Sequence, residues 1–270
     1  MTVQHQARKR FGQNFLVDQE IIRQIIAAIG PKPEDNLIEI GPGTAALTEH
    51  LIPQCPTMRV VELDRDLVAY LSEKFAAYPD FQIFSGDALK TDFAQFYEGR
   101  PMRLVGNLPY NISSPLLFHL MSAVADVDEQ VFMLQAEVVE RMAAQHGDSE
   151  YGRLSVMLQS KYHMENVLDV PPECFDPPPK VNSAIVKMIP RQDIHLTEKE
   201  YQELFKINLI LEEQKKNARS MNEDILIKTK KVQKIENPRD SLYAIILNQK
   251  QLEVYKHRKS SLLNVIMPNK

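Results

Sequence analysis

The chain has 270 residues, of which 44% are hydrophobic, and a formal net charge of −4. This length suits one large domain, or one medium domain with a small one, and the apolar content is enough for a proper core. The weakly negative charge argues mildly against a nucleic-acid partner.

The charges are unevenly placed along the chain. Residues 1–190 carry 16 Lys and Arg against 25 Asp and Glu, a net charge of −9, whereas residues 191–270 carry 16 against 11, a net charge of +5. The C-terminal part is therefore the basic end, where contacts with phosphates are expected.

Cysteine use and hydropathy exclude further classes of protein. Cys55 and Cys174 stand far apart without a second pair, so neither a disulfide framework nor a zinc site is expected. No apolar stretch approaches the length of a membrane span. Arg8, Lys9 and Arg10 precede Phe-Gly-Gln-Asn and not the apolar run of a signal peptide. These patterns predict a soluble, cytoplasmic protein without a metal site.

The N-terminal segment combines basic and aromatic residues. Arg8, Lys9 and Arg10 lead directly into Phe-Gly-Gln-Asn-Phe-Leu at 11–16. Basic side chains next to aromatic rings suit a phosphate backbone and a supported base, so we predict that these three residues bind a nucleic acid. A frayed, solvated terminus is the alternative.

A packing helix, a strand and a glycine-rich turn come next. Asp18 can cap a helix whose isoleucines form one apolar stripe. Residues 36–40 are typical of a buried parallel strand. Residues 41–46 then follow the pattern Gly-x-Gly-x-x-Ala, in which glycines permit close approach of the backbone to a ligand. A tight turn between strand and helix is the alternative.

Two acidic residues follow strands further along the chain. Glu62 stands 21 positions after Gly41, at the end of strand 59–61, where it can accept hydrogen bonds from both hydroxyls of a ribose. Asp87 follows the short strand 81–84 and can accept from an adenine amino group, although a helix N-cap explains it equally well. The glycine loop and Glu62 predict a nucleoside-containing cofactor without separating S-adenosylmethionine from NAD.

The stretch Leu-Val-Gly-Asn-Leu-Pro-Tyr-Asn-Ile at 104–112 suits a flat, polar heterocycle. Pro109 favours an extended conformation at Leu108, so the Leu108 carbonyl and the Asn107 side-chain oxygen can face one NH2 group. Tyr110 offers a stacking face, worth about 1–3 kcal/mol per base. A nicotinamide dehydrogenase has no evident use for this grouping. The alternative is a strand that ends in a Pro-Tyr turn.

The later residues extend the pattern of helices and strands. Helices are expected from Ser114 to Met121, over 137–141 and from Tyr151, with a buried strand at 130–134. Two further strands flank the proline-rich loop 171–180, which presents Phe175 stiffly. The Phe175 ring anchors the loop in the core, or, as a similar loop in a known family suggests, it forms the wall of a base pocket opposite Tyr110. Residues after Pro190 contain no glycine and are expected to be largely helical.

Four motifs together resemble the KsgA-type (RsmA) ribosomal RNA adenine dimethyltransferases. They are Phe-Gly-Gln-Asn-Phe-Leu at 11–16, Glu-Ile-Gly-Pro-Gly-Thr at 39–44, Glu-Leu-Asp at 62–64 and Asn-Leu-Pro-Tyr at 107–110. The resemblance covers roughly residues 5–190 and fails beyond about residue 205, where the arginine-rich run of the family is absent. The tail is either a divergent lobe or the product of a shifted reading frame.

The resemblance implies a doubly wound α/β fold, a Rossmann-like sheet that binds S-adenosylmethionine, with a small C-terminal helical lobe. Residues 1–191 would form the catalytic domain and residues 192–270 a lobe that docks RNA. The implied cofactor contacts are Asn14, Leu16, Gly41, Glu62, Asp87 and Asn107. The implied catalytic residues are Asn107, Leu108, Pro109, Tyr110 and Phe175.

The implied reaction is in-line transfer of the sulfonium methyl group to adenosine N6, twice on each of two adjacent adenosines near the 3′ end of small-subunit ribosomal RNA. The expected partner is the small ribosomal subunit or its precursor, and a monomer is expected. Methylation of large-subunit RNA is an alternative, as is an assembly factor whose methylation is incidental. The stretches Tyr-Gly-Arg-Leu-Ser and Phe-Asp-Pro-Pro-Pro-Lys-Val favour the small subunit.

Overall fold

The computed structural model describes residues 14–145, 148, 150–192 and 197–220. By their contacts these residues form two units. The first runs to Glu140 and resumes over Tyr162–Pro190, and the second comprises Arg141–Lys161 with the residues from Arg191 onward. The second unit thus includes a segment from within 1–191, and the division of function at residue 191 stays a prediction.

The first unit is built on a seven-stranded sheet of order β4-β3-β2-β5-β6-β9-β7. Its strands are β2 (Asn36–Ile40), β3 (Arg59–Glu62), β4 (Gln82–Ser85), β5 (Met102–Asn107), β6 (Val127–Gln135), β7 (Tyr162–Val170) and β9 (Ser183–Pro190). Strands β2 to β6 all run parallel to one another, whereas β9 runs antiparallel to both of its neighbours, β6 and β7. The chain winds outward from β2 to β4 and then crosses to β5 on the other side of β2. This confirms the expected doubly wound α/β fold and places its switch point between β2 and β5.

Helices connect the strands and extend beyond them. They are α1 (Gln19–Ile29), α2 (Thr48–Leu51), α3 (Arg65–Lys74), α4 (Ser113–Leu120), α5 (Ala136–Ala143), α6 (Arg153–Gln159) and α7 (Glu198–Ser220). Sequence analysis did not identify α3. In the part of the chain that the structure describes, no helix combines the length and the apolar character that crossing a bilayer requires.

Helix α1 forms as its sequence pattern predicts. The Asp18 carboxylate accepts hydrogen bonds of 2.9 Å from the backbone N–H groups of Glu20 and Ile21, which satisfies two donors that the first turn leaves free. Three isoleucines, Ile22, Ile25 and Ile29, are buried in the core. Gly30 ends the helix in the left-handed conformation, with φ of 55°.

A separate two-stranded sheet joins distant parts of the first unit. Strand β1 (Phe15–Leu16) pairs antiparallel with β8 (Phe175–Asp176), so that Leu16 lies opposite Phe175. The Val17 N–H extends this pairing with a 2.9 Å hydrogen bond to the Cys174 carbonyl. The pairing spans about 160 residues of sequence, and no local pattern predicts it.

Strands β2 and β5 approach each other closely at Gly106. A Cβ atom added to Gly106 would lie 2.4 Å from the carbonyl oxygen of Ile40. Because both groups belong to the backbone of paired strands, neither can move aside without disturbing the sheet. The close approach of β2 and β5 therefore requires a glycine at position 106. Gly41 directly follows β2, and Asn107 is the last residue of β5.

The second unit packs α6 against α7. Leu204, Asn208 and Leu211 form the buried stripe of α7, and the guanidinium of Arg153 lies 4.2 Å from the centre of the Phe205 ring. The expectation of a helical C-terminal segment is confirmed over Glu198–Ser220. Residues 221–270, which make up most of the tail beyond residue 205, lie outside the described residues.

We predict that Gly106→Ala lowers the free energy of unfolding by about 1–3 kcal/mol or more, because the added methyl group overpacks two backbones. Gly86→Ala is the matched control, since its added Cβ would meet nothing nearer than a Thr91 oxygen at 3.9 Å. Urea denaturation of both variants provides the measurement. Equal stability of the two variants would contradict the account of the strand contact.

Candidate functional site

A cavity of about 170 Å³ lies at the carboxyl ends of the parallel strands. It occupies the switch point between β2 and β5, where open α/β sheets bind their ligands. The lining residues are 14–16, 39–44, 46, 47, 61–64, 86–88 and 107–112. Five separate segments of the chain therefore line this one cavity.

This cavity brings together the residues that sequence analysis singled out for cofactor binding, and with them most of the proposed base-binding residues. The lining residues among them are Asn14, Leu16, Gly41, Glu62, Asp87, Asn107, Leu108, Pro109 and Tyr110. They come from positions up to 96 residues apart, so their convergence is a property of the fold. Their individual contacts with ligands stay predictions.

The glycine loop after β2 needs backbone conformations that most residues avoid. Gly41 and Gly43 have φ angles of 68° and 58°, and Ala45 has a φ of 75°. A Cβ atom at Gly43 would lie 3.4 Å from the Phe15 ring, so that ring packs directly over the loop. The loop thus presents bare backbone to the cavity between β2 and the N-terminal segment.

Glu62 ends β3 with a carboxylate that the backbone holds in place. Its Oε1 accepts a 2.8 Å hydrogen bond from the Asp64 N–H and its Oε2 a 3.3 Å bond from the Gly43 N–H. The side chain is 6% exposed, and burial raises its pKa against the opposing effect of the backbone donors. Each oxygen keeps a lone pair, so the carboxylate can accept from two neighbouring hydroxyl groups.

Glu39 is a second buried carboxyl group in the cavity wall, and sequence analysis assigned it no role. It accepts a 2.6 Å hydrogen bond from the Thr48 hydroxyl. Burial raises its pKa from 4.5 to about 7, and the nearby Glu62 adds to the effect. The signal in the sequence was an acidic residue among the apolar residues of 37–40, which a buried strand does not need for packing.

Asp87 both shapes a turn and lines the cavity. Its Oδ1 accepts a 3.0 Å hydrogen bond from the Leu89 N–H within the turn 88–90, where no helix begins, so Asp87 is not the helix N-cap that the alternative supposed. The Nζ of Lys90 lies 3.7 Å from its other oxygen, on the exposed side. Asp87 lines the cavity, and its contact with an adenine amino group stays a prediction.

The Asn107–Tyr110 loop is tied to its surroundings through the backbone. The Asn107 side chain donates to the Asn14 carbonyl over 3.4 Å, which leaves its Oδ1 acceptor for a ligand. The Leu108 N–H donates over 3.1 Å to the Met133 carbonyl on β6, and the Leu108 side chain is fully buried. The loop backbone is therefore held by β6 before any ligand arrives.

Phe175 takes the first of its two expected positions. Its side chain is 3% exposed and belongs to the hydrophobic core together with Leu16 and Cys174. It does not line the cavity, although Tyr110 does. The ring therefore anchors the proline-rich loop, and its β8 backbone pairs with β1.

Leu63 is a further wall residue that sequence analysis missed. It lines the cavity between two acidic residues, Glu62 and Asp64, and is 51% exposed. Its position next to Glu62 suits contact with the ring of a nucleoside.

The structure does not test the RNA contacts expected of the N-terminal segment. Arg8, Lys9 and Arg10 lie outside the described residues. Within the ranges that the structure describes, no group of three or more His, Cys, Asp or Glu side chains is arranged to hold a metal ion.

Comparison with known sequences gives a family and several relatives. The family model described as "Ribosomal RNA adenine dimethylase" matches residues 4–248. "Ribosomal RNA small subunit methyltransferase A" of Saccharophagus degradans is 60% identical over 187 residues, which are 69% of this chain and 70% of that protein. The protein of the same name from Leptothrix cholodnii is 54% identical over 190 residues, 70% of this chain and 69% of the relative. The match to the Cupriavidus metallidurans protein covers 66% of its length.

Solved structures show the same fold. A dimethyladenosine transferase from Plasmodium falciparum superposes with a TM-score of 0.66 and 27% identity, covering 93% of this chain and 97% of that one. The 23S rRNA methyltransferase ErmE gives a TM-score of 0.64 over 91% of this chain and 100% of its own, at 22% identity, and this likeness concerns the fold alone.

We predict that Glu39→Gln changes how stability depends on pH. Because burial raises the folded-state pKa to about 7 from 4.5, this carboxyl costs nothing below pH 4.5 and about 3 kcal/mol above pH 7. The free energy of unfolding of the wild type should therefore fall between these pH values, and the variant should lack that part of the fall. Urea denaturation at pH 5 and pH 8 measures it, with the exposed Glu165→Gln as control. An unchanged pH dependence in Glu39→Gln would contradict the prediction.

Proposed function

Because the chain belongs to the ribosomal RNA adenine dimethylase family, we propose that it transfers methyl groups from S-adenosylmethionine to adenosine N6 in small-subunit ribosomal RNA. The expected targets are two adjacent adenosines near the 3′ end of 16S RNA, each converted to N6,N6-dimethyladenosine. The family resemblance inferred from the four sequence motifs is thereby confirmed. The observation that carries the proposal is the single cavity that gathers the glycine loop, Glu62 and the Asn-Leu-Pro-Tyr loop.

The charges of the cavity fit a cationic cofactor. Four acidic residues, Glu39, Glu62, Asp64 and Asp87, line it, and none of the lining residues that the structure describes is basic. S-adenosylmethionine carries a sulfonium and an ammonium group, which these carboxylates attract. The pyrophosphate of NAD would instead meet carboxylates without a compensating cation, so the charge pattern favours S-adenosylmethionine.

Specific residues would hold the parts of the cofactor. Glu62 accepts from the two ribose hydroxyls, and Asp87 accepts from the adenine amino group. Gly41 and the N-terminal residues Asn14 and Leu16 enclose the remainder, because they line the same cavity. When bound, the cofactor supplies an activated methyl group on a sulfonium that is already a good leaving group.

The protein's own contribution is to orient the adenine amino group. The Asn107 side-chain oxygen and the Leu108 carbonyl accept hydrogen bonds from its two N–H groups, which localises the lone pair on nitrogen and aims it at the methyl group. After one transfer the nitrogen has released one proton to water and keeps a single N–H, so the second transfer uses one acceptor only. Burial raises the pKa of Tyr110, which stays neutral and serves as a stacking surface.

The RNA contacts are proposed to lie outside the cavity. The acidic wall repels phosphates, whereas residues 191–270 carry a net charge of +5. We assign RNA docking to residues 192–270 and to Arg8, Lys9 and Arg10. The partner would be the small subunit or its precursor, met in the cytoplasm by a monomeric enzyme.

The direct test is methylation of ribosomal subunits by the purified protein. The protein is incubated with isotope-labelled S-adenosylmethionine and unmethylated small or large subunits, and mass spectrometry of nuclease digests locates the label. Dimethyladenosine in a 3′-terminal fragment of small-subunit RNA is expected. Label found only in large-subunit RNA, or no label in either RNA, would refute the proposal.

We predict that Glu62→Ala weakens S-adenosylmethionine binding by about 1.5–3 kcal/mol, because charge-assisted hydrogen bonds to the ribose are lost. NAD should show no measurable binding to the wild type. Calorimetric titration provides the measurement, with the exposed Glu73→Ala as control. If Glu62→Ala and Glu73→Ala both bind the cofactor as tightly as the wild type, Glu62 does not hold it.

We predict that Asn107→Ala lowers the rate of methyl transfer at least ~100-fold while RNA affinity stays nearly unchanged, since the lost contact forms mainly in the transition state. Single-turnover kinetics on small subunits measure the rate, and filter binding measures the affinity. Asn166→Ala, on the exposed edge strand β7, is the control. A fall in RNA affinity that accounts for the whole loss of rate would contradict this role.

A further inference from the structure

We propose that Ser183 is a positioning residue for catalysis, whose hydroxyl holds the ring of Tyr110 in the orientation that stacks on the target base. This inference rests on the proposed function and adds a residue that the four motifs do not contain. Ser183 touches neither base nor cofactor in this account. It acts through Tyr110, because its hydrogen bond fixes the orientation of the ring that stacks on the base.

The contact joins the tip of the Tyr110 ring to the first residue of β9. The hydroxyl oxygens of Tyr110 and Ser183 are 2.6 Å apart and share a hydrogen bond. Ser183 is completely buried, whereas Tyr110 is half-buried and lines the cavity. The cavity-facing ring is therefore attached at its far end to the interior of the sheet.

Ser183 itself occupies a rigid position. In the sheet register it lies opposite Gln135 of β6 on one side and Val170 of β7 on the other. The neighbouring Asn182 carbonyl accepts a 2.9 Å hydrogen bond from the Ala136 N–H. A hydroxyl fixed by two paired strands has little freedom to follow a moving ring, so the ring must adapt to it.

The backbone next to Tyr110 is held by hydrogen bonds that do not involve Ser183. The Leu108 N–H is bonded to β6, and the Pro109 carbonyl accepts a 3.0 Å hydrogen bond from the Ser113 hydroxyl. Tyrosine has two side-chain torsions, and fixing both ends of the side chain restricts both of them. The stacking surface is thus ordered before the RNA binds, which removes an entropic cost from base capture.

The expected kinetic effect is moderate because the ring remains when the hydrogen bond is lost. A net hydrogen bond contributes enough for about a three- to tenfold change. Ser183→Ala and Tyr110→Phe should each lower kcat by that factor at saturating RNA. Tyr110→Ala removes the ring and should lower kcat much further.

A double-mutant cycle tests the inference with the full-length protein. The kcat for methylation of small subunits and the Kd for S-adenosylmethionine are measured for wild type, Ser183→Ala, Tyr110→Phe and the double variant. If Ser183 acts through Tyr110, the double variant is no slower than the slower single variant, and the Kd is unchanged in all four. Losses that multiply in the double variant, or a Ser183→Ala enzyme with wild-type kcat, would overturn the inference.

A matched control separates positioning from general stability. Ser155 is also completely buried, and its hydroxyl donates to the Arg141 carbonyl in the second unit. Thermal unfolding and kcat are compared for Ser155→Ala and Ser183→Ala. We expect both variants to lose a similar amount of Tm. Only Ser183→Ala should lose activity, whereas Ser155→Ala should keep it. If both lose activity in proportion to Tm, the role of Ser183 is structural only.

Two further outcomes keep the experiment decisive. Should Ser183→Ala fail to fold, Ser183→Cys replaces it in the cycle, because the thiol keeps the shape and is a weaker donor. A wild-type protein that methylates no ribosomal RNA would refute the proposed function itself. An active wild type with independent losses in the cycle would refute only the positioning role.

Discussion

The close approach of β2 and β5 is the constraint on which the site depends. Gly106 lies so near the Ile40 carbonyl that a side chain there has no room. The chain therefore leaves the two strands at almost the same point, at Gly41 directly after β2 and after Asn107, the last residue of β5. The loop proposed to bind the cofactor and the loop proposed to bind the base diverge from this contact, so the geometry needed for direct methyl transfer is fixed by packing of the backbone.

The electrostatics divide the proposed work between regions of the chain. An acidic cavity attracts a cationic cofactor and accepts a neutral base, but it repels the RNA backbone. Residues 191–270 carry the compensating positive charge. A base must therefore leave its stack to reach the cavity while its phosphates are held elsewhere, which is the general strategy of enzymes that modify bases. The raised pKa values of Glu39 and Glu62 follow from the burial of both carboxyl groups in the cavity wall.

Features encoded within a few residues could be predicted from the sequence. The Asp18 cap, the isoleucine stripe of α1 and strand β2 follow from local hydrogen bonding and periodicity, and each is present. Features that join distant segments could not. The pairing of β1 with β8 keeps the Phe175 ring in the core, and the bond between Tyr110 and Ser183 spans 73 positions. The sequence shows that these residues are present, but it does not show which of them contact each other in the folded protein.

Hydrogen–deuterium exchange with and without S-adenosylmethionine tests the central claim most directly, because it reports on all the loops at once. The account predicts that the cofactor slows exchange in the four internal segments that line the cavity, namely 39–47, 61–64, 86–88 and 107–112. The antiparallel strands β7 and β9 should exchange as before. Protection confined to β7 and β9, or no protection in the segments around Gly41 and Glu62, would contradict a cofactor site at the switch point of the sheet.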